Sequence, residues 1–306
     1  MRGDPLVIFE TVVGSRAYGL AGPDSDTDVK GVGIGPASWY HGWRGGPELI
    51  TRSPDHVRYE CRRYLGLCVA ANPTTLEMAW TRPEDQLTTH PLGARLLAAR
   101  HQFLSKRVAE RFGRYAFSQL KRIKTHRSWL LSPPSGPPLR QQFGLPERTL
   151  IPSDQLAAAE SLFDQGRMEE ADVSANFIDV LVRERRYKSA QKHWAMYRRW
   201  QQERNPARAE LERRYGYDTK HAMHLVRLQR MALEVLTTGR VVVFRPDREE
   251  LLAIRAGAWS FDQLEASAGD LADRITAAAE TSHLPPEPDE DAIDQLCASI
   301  IAEALA

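Results

Sequence analysis

Gly14-Ser15-Arg16-Ala17-Tyr18-Gly19-Leu20-Ala21-Gly22-Pro23-Asp24-Ser25-Asp26-Thr27-Asp28 is the stretch on which the reading of this chain turns. Ahead of it, residues 6–13 (Leu-Val-Ile-Phe-Glu-Thr-Val-Val) are rich in branched and aromatic side chains and read as a β-strand. Gly14 allows close backbone approach, and Ser15 opens a short helix, through Leu20, whose free N–H groups attract phosphate. Residues 21–25 have the composition of a turn. Residues 28–34 read as a second strand, with Val29, Val32 and Ile34 as its apolar content. Asp26 and Asp28 stand two apart, so in extended chain both carboxylates point to one face. Two hard oxygen donors side by side suit Mg2+, which is bound by one or two carboxylates plus substrate phosphates. Two such ions ~3.5–4 Å apart can steady both the attacking and the leaving oxygen of a displacement. An Asp-Xaa-Asp or a Gly-Ser alone means little; the order strand, Gly-Ser, short helix, Asp-Xaa-Asp strand is what carries information. The plainer alternative is a turn rich in Asp and Ser that only caps a strand.

Working outward, residues 42–47 read as a loop and 56–60 as a third strand leading into a helix over 62–71. Asn72-Pro73-Thr74-Thr75 ends that helix and caps the next, over 76–80. From about residue 91 a helical period dominates; Leu97, Leu104, Val108 and Phe112 keep to one face. Four prolines within residues 132–138 exclude regular helix there. Helical pattern returns over 154–165, 173–203, 208–214, 219–237 and 261–280, and over 291–305 after a proline-rich break at 284–288.

The chain has 306 residues, 42% hydrophobic and 26% charged, as expected of a globular protein, and no apolar run long enough to span a membrane. The N-terminus shows no secretory signal pattern. Three scattered cysteines, Cys61, Cys68 and Cys297, fit a reducing cytoplasm better than a disulfide framework, and Cys61 and Cys68 can both face the core. The net charge of +1 hides a gradient. Residues 183–214 hold eleven Lys and Arg against four acidic residues, whereas 284–306 hold six acidic and no basic ones. Within the basic stretch, Tyr187, Trp194, Tyr197 and Trp200 fall near one helical stripe, flanked by Lys188, Lys192 and Arg199. Such aromatics read as core first, with the cations as a candidate RNA track.

With eleven positions from Ser15 to Asp26, the leading stretch resembles the Gly-Ser…Asp-Xaa-Asp signature of the DNA polymerase β superfamily of nucleotidyltransferases. Tyr59-Glu60-Cys61-Arg62-Arg63-Tyr64, Asn72-Pro73-Thr74-Thr75-Leu76-Glu77 and Tyr217-Asp218-Thr219-Lys220-His221-Ala222-Met223-His224-Leu225-Val226-Arg227 resemble a narrower group, the RNA-repair-pathway DNA polymerase β family. The resemblance runs in patches over most of residues 7–260. It implies an α+β fold, with a small polymerase-β-like α/β domain on a mixed sheet over residues 1–100. A larger, mainly helical domain over 101–306 would end in the acidic tail. It implies transfer of a nucleotide from an NTP such as ATP to a hydroxyl, with release of pyrophosphate and a link to RNA repair. Asp26 and Asp28 would be catalytic and would hold Mg2+, or Mn2+ in its place. The superfamily adds a third carboxylate from a later strand; Glu60 is the first choice and Asp55 the second, with Glu60 as a mere helix-start charge the alternative.

Gly14, Ser15 and Arg16 are the expected contacts to the triphosphate, with Arg16 as an exposed spectator the other reading. Lys220, His224 and Arg227, at i, i+4 and i+7, share a helical face that would set cations against phosphate, whereas His221 points about 100° away from Lys220. Asp218 is most simply the N-cap of that helix. Glu77 either serves structure or touches a nucleotide or Arg16. The favoured acceptor is a hydroxyl on RNA. A protein side chain or small molecule as acceptor, and a non-catalytic nucleotide-binding module, are the competing readings.

Overall fold

Strand β1 (Leu6–Val13) is the spine of the sheet, because its alternation buries residues on both faces: Ile8 and Phe9 are fully buried, as are most of their neighbours. The computed structural model describes residues 5–23, 25–149, 151, 153–165 and 175–306. After β1 come α1 (Gly14–Ala17), β2 (Asp28–Ile34), α2 (Ser38–His41), β3 (Leu49–Ser53), β4 (His56–Glu60), α3 (Cys61–Val69), α4 (Pro73–Met78) and β5 (Gln86–Thr89). The five strands form one sheet in the order β3-β4-β2-β1-β5. It is mixed: β2 and β4 run parallel, and the other neighbours antiparallel. The helices α5 (Pro91–Ala98), α6 (Arg107–Leu131), α7 (Ser153–Asp164), α8 (Ala175–Glu203), α9 (Pro206–Tyr215), α10 (Thr219–Thr238), α11 (Arg248–Arg255), α12 (Phe261–Thr281) and α13 (Glu290–Leu305) follow. The fold is α+β, with an N-terminal α/β region followed by a helical one.

The local rules explain most boundaries. Asn72 Oδ1 accepts from the N–H groups of Thr74 and Thr75 while Pro73 takes the first helical position, so α4 starts as its sequence demands. Asp218 caps α10 through the His221 N–H at 2.9 Å. Ser260 and Gln263 form a reciprocal capping box on α12. Strands β3 and β5 and helices α2 and α11 were not expected. β3 is an exposed edge strand, Leu-Ile-Thr-Arg-Ser, and β5 is Gln-Leu-Thr-Thr; neither carries enough apolar alternation to be read as strand without its neighbour.

The division of the chain differs from a boundary near residue 100. One compact unit contains the chain up to Lys124 together with Tyr217–Ala306; the described part of Thr125–Gly216 is a second. The reason is that the C-terminal helices return to the sheet. The Arg245 N–H donates to the Tyr18 carbonyl at 3.1 Å and Arg255 Nη1 to the Leu20 carbonyl at 3.3 Å. The acidic tail joins the same unit: Arg107 pairs with Glu287 and Glu290 at 2.9 and 3.2 Å, and Arg95 pairs with Glu303.

The second unit has its own small core. Ala159 and Leu181 are buried against Ile151 and Phe177. Trp129 donates its indole N–H to His193 at 2.9 Å and packs against Tyr197 and Trp200. The aromatic stripe therefore serves packing. Several of the basic residues here are engaged locally, Arg140 with Glu184 and Arg204 with Glu212 among them. Among the described residues no helix is long and apolar enough to cross a membrane.

Candidate active site

Val13 stands opposite Asp28 in the β1–β2 register, so the end of one strand and the start of the next bring Gly14 against the Asp28 carboxylate. Gly14 has φ +69°, in the left-handed region, and a Cβ there would lie 2.7 Å from Asp28 Oδ2. Both facts demand glycine. Gly14→Ala is expected to cost ~1–2 kcal/mol of stability from the backbone alone and to displace the Asp28 carboxylate; urea denaturation of the variant measures the first effect.

Asp28 also meets Asp55. Val29 pairs with His56 in the parallel β2–β4 ladder, and the Val29 N–H donates to the Asp55 carbonyl at 2.7 Å. Asp55, in the turn just ahead of β4, therefore sits beside Asp28. Burial first, then the Asp55 charge, push the Asp28 carboxyl above its ordinary range; Asp26 adds to this, and Lys30 and Lys220 oppose it. Two further carboxylates and two lysines thus act on Asp28 at the mouth of the β1–α1 turn. Asp26 and Asp55 are exposed, and Asp28, Lys30 and Lys220 half-buried. Lys30, whose Nζ lies 3.4 Å from the Tyr59 hydroxyl, is a cation that sequence reading passed over as an ordinary strand residue.

Ser15 is half-buried in the first turn of α1, where the opening N–H groups have no acceptor within the helix. Arg16 is exposed and donates from Nη2 to the Ser25 carbonyl at 2.6 Å, clipping the turn that precedes Asp26. His224 is half-buried one turn beyond Lys220 on α10.

Two expected site residues stand elsewhere. Glu60 pairs with Gly33, five residues along β2 from Asp28 and on the other face, ~16 Å away by strand rise. Its carboxylate caps α3, accepting from the Arg63 N–H at 3.3 Å, and takes the Tyr40 hydroxyl at 2.9 Å. The helix-start reading is the one its contacts bear out. Arg227 is buried, not open to a phosphate: its Nη1 lies 2.7 Å from Glu77 Oε1, and its guanidinium stacks 3.7 Å from the Tyr18 ring centroid. Tyr18 in turn donates to Glu77 Oε2 at 2.5 Å. Burial pulls the Arg227 pKa down, but the Glu77 and Tyr18 charges and the Glu77 hydrogen bond together leave it raised. This triad ties α10 and α4 to the residue that follows α1. Partners so far apart in the chain leave no sequence signal.

A second buried cluster, also unforeseen, lies on the sheet face away from Asp28. Glu10 Oε1 is 2.6 Å from both Arg58 Nε and His56 Nε2, spanning β1 and β4 across Gly31. Burial alone would raise the Glu10 carboxyl, but Arg58 and His56 hold it below the ordinary range. The cluster fixes the pairing of the three strands that carry the acidic group.

Among the described residues no three His, Cys, Asp or Glu side chains converge tightly enough to hold a metal ion unaided. No curated protein and no solved structure matches the chain. The sequence pattern of one family does match, over residues 4–130, which include the whole sheet, α1 and the three aspartates. Over that region the chain is similar to the RNA repair pathway DNA polymerase beta family, a family of polymerase-β type.

Proposed function

We propose that the protein transfers the nucleotidyl group of an NTP to a hydroxyl on RNA, releasing pyrophosphate. One observation carries the reading: the Asp28 carboxylate lies against Gly14 at the head of a phosphate-ready turn, with Asp26 and Asp55 as its charged neighbours. Asp55, not Glu60, is the third carboxylate in this scheme.

The donor set fits divalent cations. Burial and two like charges disfavour the charged form of Asp28, a strain that a bound cation relieves. Mg2+ needs few protein ligands when phosphates and water complete its shell, so a loose carboxylate group serves. When bound, Mg2+ or Mn2+ would be held by Asp26, Asp28 and Asp55 and would stabilise charge on the phosphoryl oxygens. The turn at Gly14–Ser15 offers backbone N–H groups to the triphosphate, and Lys220 and Lys30 supply positive charge beside it. His224, one turn beyond Lys220 on α10, would contact the ribose or phosphate in this scheme. The acceptor oxygen bonds to the α-phosphorus as the bond to pyrophosphate breaks, and the hydroxyl proton leaves to a carboxylate or to water. Arg227 acts from behind, holding Tyr18 and hence the end of α1. The free, buried cysteines support a reducing, cytoplasmic setting.

The assignment of the third carboxylate has its own test. Asp55→Asn is expected to lower transfer about a hundredfold or more. Glu60→Gln should stay within about threefold of wild type, and Glu60→Ala should cost ~1 kcal/mol of stability as a lost cap. Steady-state transfer rates with NTP and Mg2+, beside thermal melts, separate these. Loss on Glu60→Gln with retention on Asp55→Asn would reverse the assignment.

A further inference from the structure

The segment between β2 and β3 presents an aromatic and basic surface that the reaction centre does not use. Trp39 is clamped between two glycines: a Cβ on Gly35 would lie 1.9 Å from its ring, and one on Gly46 2.2 Å. This fixes the loop as a built feature rather than a loose tail of β2. Trp43, on the same loop, is 89% exposed, the most exposed large apolar side chain among the described residues. The Arg44 guanidinium lies 4.8 Å from its ring centroid. A cavity of about 520 Å³ opens beside it, lined by Trp39, Trp43, Arg44 and the loop glycines. An indole left in water in a rigid frame forfeits the burial that would otherwise stabilise the fold, and an arginine beside it adds a planar cation.

The loop also leads to the aspartates. It ends at β3, the exposed edge strand, which pairs antiparallel with β4 and returns toward Asp55. Arg52 on that edge is exposed and, among the described residues, has no hydrogen-bond or ion-pair partner. Platform, edge and acidic group thus follow one another along about 20 Å of sheet, the rise of β2 from Asp28 to Ile34.

We propose that the Trp39–Trp43–Arg44 loop is a stacking platform for the bases of a single-stranded RNA, with Arg44 and Arg52 on its phosphates. The occupant follows from the chemistry: a flat exposed π-face with flanking cations recognises any unpaired base and its backbone charge, and a duplex hides the faces it needs. The proposal rests on the nucleotidyl-transfer reading for its biological sense, and names the acceptor strand of that same site.

The test is fluorescence anisotropy of a labelled single-stranded RNA of about 12 nucleotides with the full chain at fixed, moderate salt. Trp43→Ala is expected to weaken binding about tenfold, Trp43→Phe to restore most of it, and Arg52→Ala to flatten the salt dependence. A base-free polyphosphate of matched charge should compete poorly. Equal binding by wild type and Trp43→Ala, or polyphosphate competing as well as RNA, overturns the platform. Nucleotidyl transfer is read on the same samples: loss of transfer in Asp28→Asn tests the metal-site reading and loss of RNA binding in Trp43→Ala tests the platform, so the two failures give different results.

Discussion

Asp28→Asn is expected to abolish nucleotidyl transfer, by a thousandfold or more, while leaving the fold as stable as before or more so. Two effects act in opposite directions at this residue. Asp28 is the carboxylate closest to the phosphate turn, so removing its charge removes cation affinity where the NTP must bind. The same charge is a burden on the fold, because burial, Asp55 and Asp26 all raise its pKa above the ordinary carboxyl value. A raised folded-state pKa means that the native protein holds this proton more tightly than the unfolded chain. Its stabilising contribution is then full below the unfolded pKa and is lost as pH rises through the folded one. As pH rises through the folded pKa the Asp28 charge comes to disfavour the fold, which the amide does not do. Urea denaturation at about pH 4 and pH 7 should show the variant gaining on wild type toward neutrality. A structural aspartate would show the reverse, with the variant losing stability at neutral pH.

Arg227→Ala is expected to give the largest loss of stability of any single change here, ~3–5 kcal/mol. The guanidinium is 5% exposed and is held by Glu77 and by the Tyr18 ring. Its removal leaves the Glu77 carboxylate buried with, among the described residues, the Tyr18 hydroxyl as its remaining hydrogen-bond partner, and opens a space behind α1. Glu77→Gln in the same background should recover part of the loss, because the uncompensated charge is gone. If Arg227 were a phosphate ligand, its substitution would raise KM and spare the melting temperature; calorimetry and kinetics on one preparation distinguish the two. The expected result is a large fall in Tm, with any kinetic effect following from the displaced Tyr18.

The elements that carry the site were legible because they depend on neighbours in sequence. β1 and β2 have the bounds that branched side chains and the Gly-Ser turn predict, and the Asn72 and Asp218 caps are satisfied by the next few N–H groups. The spacing argument for Asp26 and Asp28 needs both on one strand, and β2 begins only at Asp28, so Asp26 lies in the chain ahead of it. What was not legible needed pairing across the chain. Choosing between Asp55 and Glu60 takes the β2–β4 register, since both lie near β4 and only its alignment with β2 brings Asp55 beside Asp28. Helical spacing placed Arg227 on the face of Lys220, but Tyr18 and Glu77 decide that this end of the face is buried. The return of α13 onto α3 and α5 likewise depends on long-range packing and ion pairs, which is why an apparent boundary near residue 100 does not divide the fold. Lys30 escaped notice because a lysine within a strand has no local signature of its role.

The acidic tail illustrates the same limit. Its six acidic residues were plain in the sequence, but charge alone does not say which cations they meet. Arg95 on α5 and Arg107 on α6 are among the cations it pairs with.

The most direct test of the nucleotidyl-transfer account is incubation of the full chain with each α-labelled NTP, Mg2+ and single-stranded RNA, resolved on a denaturing gel beside the Asp28→Asn variant. The account predicts label on the RNA from at least one NTP with wild type, its loss on chelation of the metal, and none with the variant. Label that persists in the variant, or RNA that stays unlabelled with every NTP, would contradict it.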